Sequence, residues 1–405
     1  MASLSHDAIL DVLCRLGVKD LVRFRCVSKP WCSTIDSPDF IKRHLSHSLK
    51  TNTNLSLILP TAYIFSVDFD SLETPQRLKH PLDESDEGKG TDILGSCHGL
   101  LALMNGDDDY EISLWNPSTR RSQMLPFTDI EFPPWSIGFQ FIVYGFGYDP
   151  ISDDYKLVRM VQFHGKDQDS VDSEVKVYSL RTNSWRRVKD FPFYHKDQYQ
   201  IGVLANNALH WVASKKRLSD TRSFVAAFDL ETEEYRVIEL PDCLDMGFHM
   251  SLNDMEGDVS LVAMGGCLCL IANCWGAYVD IWVMKEYGVK ESWTKLISAK
   301  QTQHLPTVSP LALSKTGDKM LLNVGRKFIW YDLISKKAEI VSIGDVPSCS
   351  RAEVLVQSLV PLNDIDTYLK GHIVISTSGY VWGTVNATTG SVYGSDGESL
   401  EIGKE

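Results

Sequence analysis

The sequence lacks the marks of a membrane or secreted protein. No apolar run in its 405 residues approaches the roughly 18 residues of a membrane-spanning helix. Met1–Leu10 has neither the basic start nor the apolar stretch of a signal peptide. The nine cysteines are odd in number and scattered, unlike the framework of a small disulfide-rich protein. These absences predict a reducing compartment, cytoplasmic and/or nuclear, and no membrane partner.

The chain also lacks an excess of positive charge. It holds 40 Lys and Arg against 53 Asp and Glu, so its formal net charge is -13. Nucleic acid and anionic lipid require a basic surface that displaces counterions, which argues against both as principal partners. Residues 1–50 nevertheless contain eight Lys or Arg and five Asp, about +3, leaving about -16 for the rest. The N-terminal segment is therefore expected to face an acidic partner.

Catalytic and metal-binding motifs are missing as well. The cysteines that lie closest together are Cys267, Cys269 and Cys274. They occupy an apolar stretch with no histidine at the spacing of a zinc site, so we expect them to be structural. No serine or cysteine nucleophile motif accompanies His98, His164 or His210, and no glycine-rich phosphate loop occurs. The sequence predicts no catalytic residue, no metal and no cofactor.

The first fifty residues carry helix signals. Ser5 can cap a first helix, and a second is expected from about residue 19 to residue 26. Ser28 can cap a third helix, while Ser37 followed by Pro38 is typical of the start of a fourth. Four short helices enclose only a small core, so part of their apolar surface should contact another chain. The alternative is a helical cap on the following domain.

After residue 50 the pattern changes to short apolar stretches separated by turns. One kind of turn recurs at positions 105, 149, 206, 265, 317 and 378, at intervals of 44 to 61 residues. A second kind follows an aromatic residue, as after Trp115, Phe228 and Tyr331. Two hairpins in a unit of this length are typical of a β-propeller blade, and about six blades fit. A two-sheet sandwich or two stacked β domains is the alternative.

Closure of such a ring predicts that strands before Phe69 pair with strands after Ala352. Residues 72–91 are charged and proline-rich, which indicates a loop. Three segments interrupt the regular spacing of strands and turns and contain aromatic residues, so they are candidates for target binding. Ordinary loop insertions would have the same pattern. These segments are 129–138, 163–171 and 191–200.

The N-terminal pattern resembles the F-box. The matching residues are Leu4, Asp7, Ile9, Leu10, Leu13, Arg15, Leu16, Leu21, Val22, Arg23, Phe24, Arg25, Cys26, Val27, Ser28, Lys29 and Trp31, then Ile35, Pro38, Phe40 and Leu45. Ser5 and Gly17 replace two prolines of the family pattern. The resemblance implies binding of a Skp1-like adaptor, and through it cullin-1. The side chains it implies for that contact are Leu4, Ile9, Leu10, Leu13, Leu16, Leu21 and Val22. Phe24 and Trp31 are expected in the core of the module.

The remainder resembles the type 1 F-box-associated interaction domain of plant F-box proteins, a kelch-like propeller. The stretches that carry the resemblance are 95–100, 115–120, 145–149, 153–158, 209–211, 266–271 and 278–293. Within that family the sequence is most similar to the constitutive-expresser-of-pathogenesis-related-genes type. The resemblance implies a substrate-recognition subunit of an SCF (Skp1–cullin–F-box) E3 ubiquitin ligase, with a nucleotide-binding leucine-rich-repeat (NLR) immune receptor as one implied target.

These inferences give one expected organisation. The fold is mainly β with an N-terminal α module: residues 1–50 form the F-box, 51–390 a propeller-like domain of about six blades, and 391–405 a disordered tail. The chain is expected to be a non-catalytic receptor that brings a target lysine close to the ubiquitin carrier. The alternative is a propeller-fold glycan-binding or hydrolytic protein with an unrelated helical leader.

Overall fold

The computed structural model describes the backbone of most of the chain. The described ranges are 6–83, 90–105, 108–136, 138–163, 172–196, 200–215, 222–242, 258–274, 278–300, 308–344 and 351–362, with the strand segments 383–385, 392–394 and 399–400. The chain divides into two compact units, residues 1–362 and 363–405. In the second unit, β26 (Gly383–Val385), β27 (Val392–Gly394) and β28 (Ser399–Leu400) form one antiparallel sheet. Most of the expected tail lies outside the described residues, so the boundaries 51–390 and 391–405 stay predictions.

Four helices open the first unit, as the sequence predicts. They are α1 (His6–Cys14), α2 (Val18–Phe24), α3 (Lys29–Ile35) and α4 (Pro38–Thr51). The Ser28 hydroxyl accepts the Trp31 amide at 3.3 Å, and the Ser37 hydroxyl accepts the Phe40 amide at 3.3 Å. Each of these caps satisfies a backbone donor that has no partner within its helix. The expected capping residue of α1, Ser5, lies outside the described residues.

The remaining strands of the first unit form six antiparallel sheets, the blades of a propeller. Blade 1 is β4 (Thr91–Cys97), β5 (Leu100–Asn105), β6 (Asp108–Asn116) and β7 (Arg121–Met124), and blade 2 is β8 (Phe139–Asp149), β9 (Asp154–Phe163), β10 (Asp172–Ser179) and β11 (Ser184–Arg187). In blade 3, β12 (Tyr194–His195) and β13 (Val203–Ala205) both pair with β14 (Ala208–Ser214), followed by β15 (Phe224–Asp229) and β16 (Tyr235–Ile238).

The other three blades complete the ring. Blade 4 is β17 (Asp258–Met264), β18 (Cys267–Cys274), β19 (Tyr278–Met284) and β20 (Trp293–Lys300), with the 3-10 turn Lys290–Ser292 before β20. Blade 5 is β21 (Val308–Leu313), β22 (Lys319–Val324), β23 (Lys327–Asp332) and β24 (Ala338–Val341). Blade 6 is β25 (Glu353–Val356), β1 (Leu55–Pro60), β2 (Ile64–Asp68) and β3 (Gln76–Leu78).

Blade 6 joins the two ends of the propeller sequence. Strand β25 pairs with β1, placing Val356 opposite Leu55 and Glu353 opposite Ile58. The predicted closure is therefore confirmed, and it leaves the ring without an open end. The prediction that residues 72–91 form only a loop was wrong, because β3 lies within this segment. An outermost strand needs few apolar residues, and Leu78 alone of the three is half-buried.

The two predicted kinds of turn occupy different positions in a blade. Aromatic-led turns connect the third and fourth strands, where Asp229 accepts the amides of Glu231 and Thr232, each at 3.0 Å. The other kind connects the first and second strands in blades 2 to 5. In blade 1 this assignment was wrong: Asn105 follows the second strand, and the equivalent turn is His98–Gly99. The turn expected near position 378 lies outside the described residues.

Buried apolar residues form one cluster at every boundary between neighbouring blades. Leu114 and Leu157, for example, meet between blades 1 and 2, and Leu321 and Leu57 meet between blades 5 and 6. The other boundaries have equivalent clusters, and a further cluster forms the core of the helices. Six clusters around six blades show a closed propeller, so the sandwich alternative does not apply. The aromatic residues Trp115, Tyr178, Phe228 and Trp293 are buried between blades.

Candidate protein-binding surfaces

The side chains predicted to contact an adaptor divide into an inner and an outer set. Leu13 and Leu21 are fully buried in the core of the helices with Val18, Ile35 and Phe40. A fully buried side chain supports the surface without being reached by a partner. Leu4 lies outside the described residues. Among the described residues, the candidates for direct contact with an adaptor are therefore those of the outer set.

The outer set consists of half-buried side chains that pack against this core. Its members are Ile9, Leu10, Leu16 and Val22. Val12, which the resemblance did not supply, is 59% exposed beside them. The signal was present in the sequence, because positions 9, 12 and 16 share one face of a helix at spacings of three and four. We call Ile9, Leu10, Val12, Leu16 and Val22 the apolar helix surface.

Phe24 and Trp31 pack against the same helical core as the outer set. Their rings meet edge to face with centroids 5.5 Å apart. Both side chains are half-buried, as those of the outer set are, so their expected place in the core of the module stays a prediction. The Arg25 guanidinium pairs with Asp36 at 2.8 Å and ties α2 to the end of α3.

The helices are fixed to the propeller by several contacts. Leu359, which follows the closing strand, is buried in the helical core, and Leu45 of α4 is buried in the cluster between blades 1 and 2. The Asn116 amide donates to the carbonyls of Ser358 and Val360 at 3.2 and 2.9 Å. These contacts hold the apolar helix surface in a fixed orientation relative to the blades.

The helices and the candidate target-binding loops lie on opposite faces of the ring. In an antiparallel four-stranded blade, the turns after the first and third strands share one face, while the turn after the second strand and the linkers between blades share the other. Lys42 of α4 pairs with Asp153 in a first-to-second turn at 2.6 Å, which places the helices on the former face. The described parts of the segments 129–138 and 191–200 belong to the latter face. Of the segment 163–171, only Phe163 lies within the described residues, at the end of β9 on that face.

A cleft of about 740 Å³ opens on that second face, between the two linkers that flank blade 2. Its aromatic side is formed by Phe132, 49% exposed, whose ring lies 5.6 Å from that of Phe163. Proline residues 133, 134 and 192 form much of the remaining apolar wall. Lys189 and Asp172 add a cation and an anion to the lining. We call this the linker cleft.

Buried charges hold the linker that carries Phe132. Arg159 pairs with Glu174 at 2.8 Å, and its guanidinium also donates to the carbonyls of Thr128 and Asp129 at 2.9 and 2.7 Å. Glu174 in turn accepts the Glu131 amide at 2.6 Å. Lys176 donates to the Asp129 carbonyl at 2.9 Å. The linker is thus bound by charge-assisted hydrogen bonds from the middle strands of blade 2, which fixes one wall of the cleft.

Three of the histidines and cysteines singled out in the sequence, His98, His210 and Cys269, are buried or packed against aromatic rings. Burial lowers the pKa of His210 to about 4, and its ring nitrogens lie 2.9 Å from the Val203 carbonyl and 2.8 Å from the Tyr287 hydroxyl. His98 packs against Tyr148 and Tyr155. Burial raises the pKa of Cys269 to about 12, so this thiol stays protonated. His164 and the side chain of Cys274 lie outside the described residues.

The described residues show no arrangement of ligands for a metal. Among them, no three His, Cys, Asp or Glu side chains lie close enough to hold an ion. No helix in the described part of the chain has the length and apolar character needed to cross a membrane.

Comparison with known proteins agrees with this geometry. Residues 1–43 match the family model described as F-box domain, and residues 55–361 match the model described as F-box associated beta propeller domain. The chain is 38% identical over 379 residues to F-box protein CPR1 of Arabidopsis thaliana, covering 89% of each chain. It is 31% identical to the F-box/kelch-repeat protein At3g23880 of the same plant, covering 90% of this chain and 97% of the relative. The chain therefore belongs to the F-box proteins whose F-box is followed by an F-box associated β-propeller domain.

Proposed function

We propose that this protein is the substrate-recognition subunit of an SCF-type E3 ubiquitin ligase. The apolar helix surface binds a Skp1-like adaptor, through which cullin-1 joins, and the propeller holds a target protein for ubiquitination and degradation. The observation that carries the proposal is the exposure of Val12 among half-buried apolar residues on helices that are fixed to a closed propeller. The chain contributes proximity and no catalytic group, and it acts in the cytoplasm or the nucleus.

The linker cleft is the target-binding surface in this proposal. It lies on the face opposite the helices, so a target bound there does not compete with the adaptor for space. Exposed aromatic side chains in a concave surface are typical anchors of protein interfaces. By its similarity to CPR1, we propose an NLR immune receptor as the target, which makes the protein a regulator of plant defence.

Adaptor binding is tested with Val12→Asp. Because Val12 is 59% exposed, the substitution leaves the folded state intact but places a carboxylate in the apolar interface. The binding of a purified Skp1-like adaptor from Arabidopsis, measured by calorimetry, should fall at least about 100-fold, since a buried unpaired charge costs several kcal/mol. The matched control is Ile334→Asp, an exposed apolar residue of blade 5, which should bind as the wild type does. Equal affinity of both variants would refute the proposed surface.

Target binding is tested separately with Phe132→Ser. An NLR receptor co-expressed with the wild type should co-purify with it and should be lost from Phe132→Ser, because the aromatic wall of the cleft is removed. Phe127→Ser is the control, since Phe127 is similarly exposed and does not line the cleft. Val12→Asp should retain the receptor while losing the adaptor. Retention of the receptor by Phe132→Ser would place target binding elsewhere on the propeller.

A further inference from the structure

A second cleft lies on the helical module, between α1 and α4. Its volume is about 250 Å³. Helix α4 contributes Arg43, Ser46, His47 and Lys50, whose spacings of three, four and seven place them along one face of the helix. Helix α1 contributes Asp11 and the buried Cys14, and Arg15 follows directly after the helix. We call this the basic cleft.

The charges in the basic cleft do not cancel. Arg15, Arg43 and Lys50 supply three positive charges and Asp11 supplies one negative charge, so the lining carries about +2 with His47 neutral. Arg43 is paired with Asp11 across the cleft. In the described part of the chain, Arg15 and Lys50 have no ion-pair partner, whereas Arg23, Arg25 and Lys42 each pair with an aspartate. Two of the module's cations without an ion pair, Arg15 and Lys50, therefore meet in this cleft, while Lys19 and Lys29 lie outside it.

The positive charge of the basic cleft contrasts with the negative charge of the chain as a whole. The first 50 residues carry about +3 within a chain whose formal net charge is -13. A positive cleft on an otherwise acidic protein attracts an anionic partner, whereas the net negative charge of the whole chain opposes association with further copies of itself. The cleft also adjoins the apolar helix surface, because the Arg15 amide donates to the Val12 carbonyl at 3.1 Å in the turn that ends α1.

We propose that the basic cleft binds an acidic segment of the adaptor beside the apolar contact. This inference rests on the proposed function and specifies how the adaptor is recognised: Val12 and its neighbours supply apolar burial, while Arg15, Lys50 and Arg43 supply electrostatic attraction. Charges at the rim of an interface act mainly on the association rate and on its dependence on salt, and they act less on the lifetime of the complex.

The test is a double charge reversal, Arg15→Glu with Lys50→Glu. Both side chains are exposed, so the variant should fold, which circular dichroism and thermal unfolding check. At about 0.05 M salt, binding of the purified Arabidopsis adaptor should weaken about tenfold or more, mainly through slower association. At about 0.5 M salt the variant and the wild type should agree within about twofold, because the screening length then falls to a few ångströms.

The control changes net charge by the same amount on the propeller. Lys327 and Lys337 are exposed on blade 5, and Lys327→Glu with Lys337→Glu should leave adaptor binding at low salt within about twofold of the wild type. If the basic-cleft variant binds the adaptor as the wild type does at every salt concentration, the inference is wrong. If both double variants weaken binding equally, net charge is responsible and the cleft has no specific role.

Two further outcomes distinguish a failure of this inference from a failure of the proposed function. If the wild type fails to bind the adaptor at any salt concentration, the proposed function itself is refuted. Titration with inorganic phosphate tests the cleft as a site for a small anion instead. Saturable phosphate binding that requires Arg15 and Lys50, together with unchanged adaptor affinity of the double variant, would overturn the acidic-segment proposal.

Discussion

The helical module and the propeller differ in how completely they bury their apolar side chains. In the propeller, Leu57, Leu209 and Leu270 are fully buried, each in a cluster between two blades. In the module, the apolar helix surface stays half-buried, and Val12 is exposed. The module's exposed apolar side chains lie together on one surface, as those of a surface covered by another chain do. Under the proposed function, this difference would give assembly to the helices and selectivity to the surface loops of the blades.

The helical module and the propeller also differ in how exposed their ion pairs are to solvent. Ion pairs of the module, such as those of Arg23 and Lys42, are exposed to solvent. In blade 2, by contrast, Arg159 and Glu174 form a pair beneath the linker from blade 1 that is almost entirely shielded. Exposed pairs contribute little to stability, but removing one member of a buried pair leaves an uncompensated charge. The contrast can be tested by substitutions in each region.

The largest expected effect is that of Glu174→Ala. The change leaves the Arg159 guanidinium, whose side chain is 6% exposed, without its carboxylate, and Lys176 loses its buried neighbour. The free energy of unfolding should fall by about 3–5 kcal/mol, measured by denaturant unfolding. Glu339→Ala on the exposed edge of blade 5 is the control and should change it by less than about 0.5 kcal/mol. A loss below about 1 kcal/mol for Glu174→Ala would contradict this account of the buried pair.

The next effect concerns the closure of the ring. Gly99 has a φ of +84°, and a Cβ there would lie 2.7 Å from the Val356 carbonyl oxygen and 2.7 Å from the Ser358 Cβ. Gly99→Ala should destabilise the protein by about 2–4 kcal/mol through strain and steric overlap. Gly265→Ala is the control, because φ is +59° but no atom lies within 4 Å of the added Cβ. Its cost should be about 1 kcal/mol. If thermal unfolding showed the same loss of stability for Gly99→Ala and Gly265→Ala, the segment of Val356 and Ser358 would be free to move away from the added Cβ.

Local patterns in the sequence were sufficient for the helices, the blade count and the closure. Ser28 and Ser37 with their following prolines mark helix starts, and the aromatic-led turns mark the end of the third strand in blades 1 to 5. The turn at His98–Gly99 was missed because Asn105-Gly106 is the stronger turn signal, and histidine rarely adopts the positive φ of 51° found at His98.

Other features depend on parts of the chain that are distant in sequence. Arg159, Glu174 and Lys176 lie on strands, where charged residues indicate a solvent-facing side. They are buried because the linker from blade 1 passes over them, which no local pattern reveals. Similarly, Leu13 and Val12 are both apolar residues of α1, and only the packing of α4 and Leu359 decides which of the two is buried.

Lowering the pH is expected to have a smaller effect on the free energy of unfolding, through His210. His210 is buried with a pKa of about 4, below its ordinary value of 6.5, because the ring is desolvated. The Val203 carbonyl can only accept, so Nδ1 carries the proton and Nε2 accepts from the Tyr287 hydroxyl. Between these pKa values the unfolded chain binds a proton that the folded chain does not. Stability from this group is therefore full above pH 6.5 and is lost as the pH falls towards 4.

The measurement for His210 is a difference between two proteins. Lowering the pH from 7.5 to 5.5 should cost the wild type about 1 kcal/mol more than it costs His210→Gln, because the other titrating groups are common to both. Denaturant unfolding at the two pH values gives this difference. An equal pH dependence of wild type and variant would mean that the ring is accessible to protons in the folded state.

The smallest effect is expected at the ion pair between Lys42 and Asp153. It joins the module to the propeller, yet its side chains are 61% and 54% exposed. A double-mutant cycle with Lys42→Ala and Asp153→Ala should give a coupling energy of about 0.2–1 kcal/mol that declines at high salt. The buried contacts of Leu359, Leu45 and Asn116 would then account for most of the attachment. A coupling energy well above 1 kcal/mol at 1 M salt would instead make this exposed pair a principal link between the two regions, and the contrast between exposed and buried charge would not hold at their boundary.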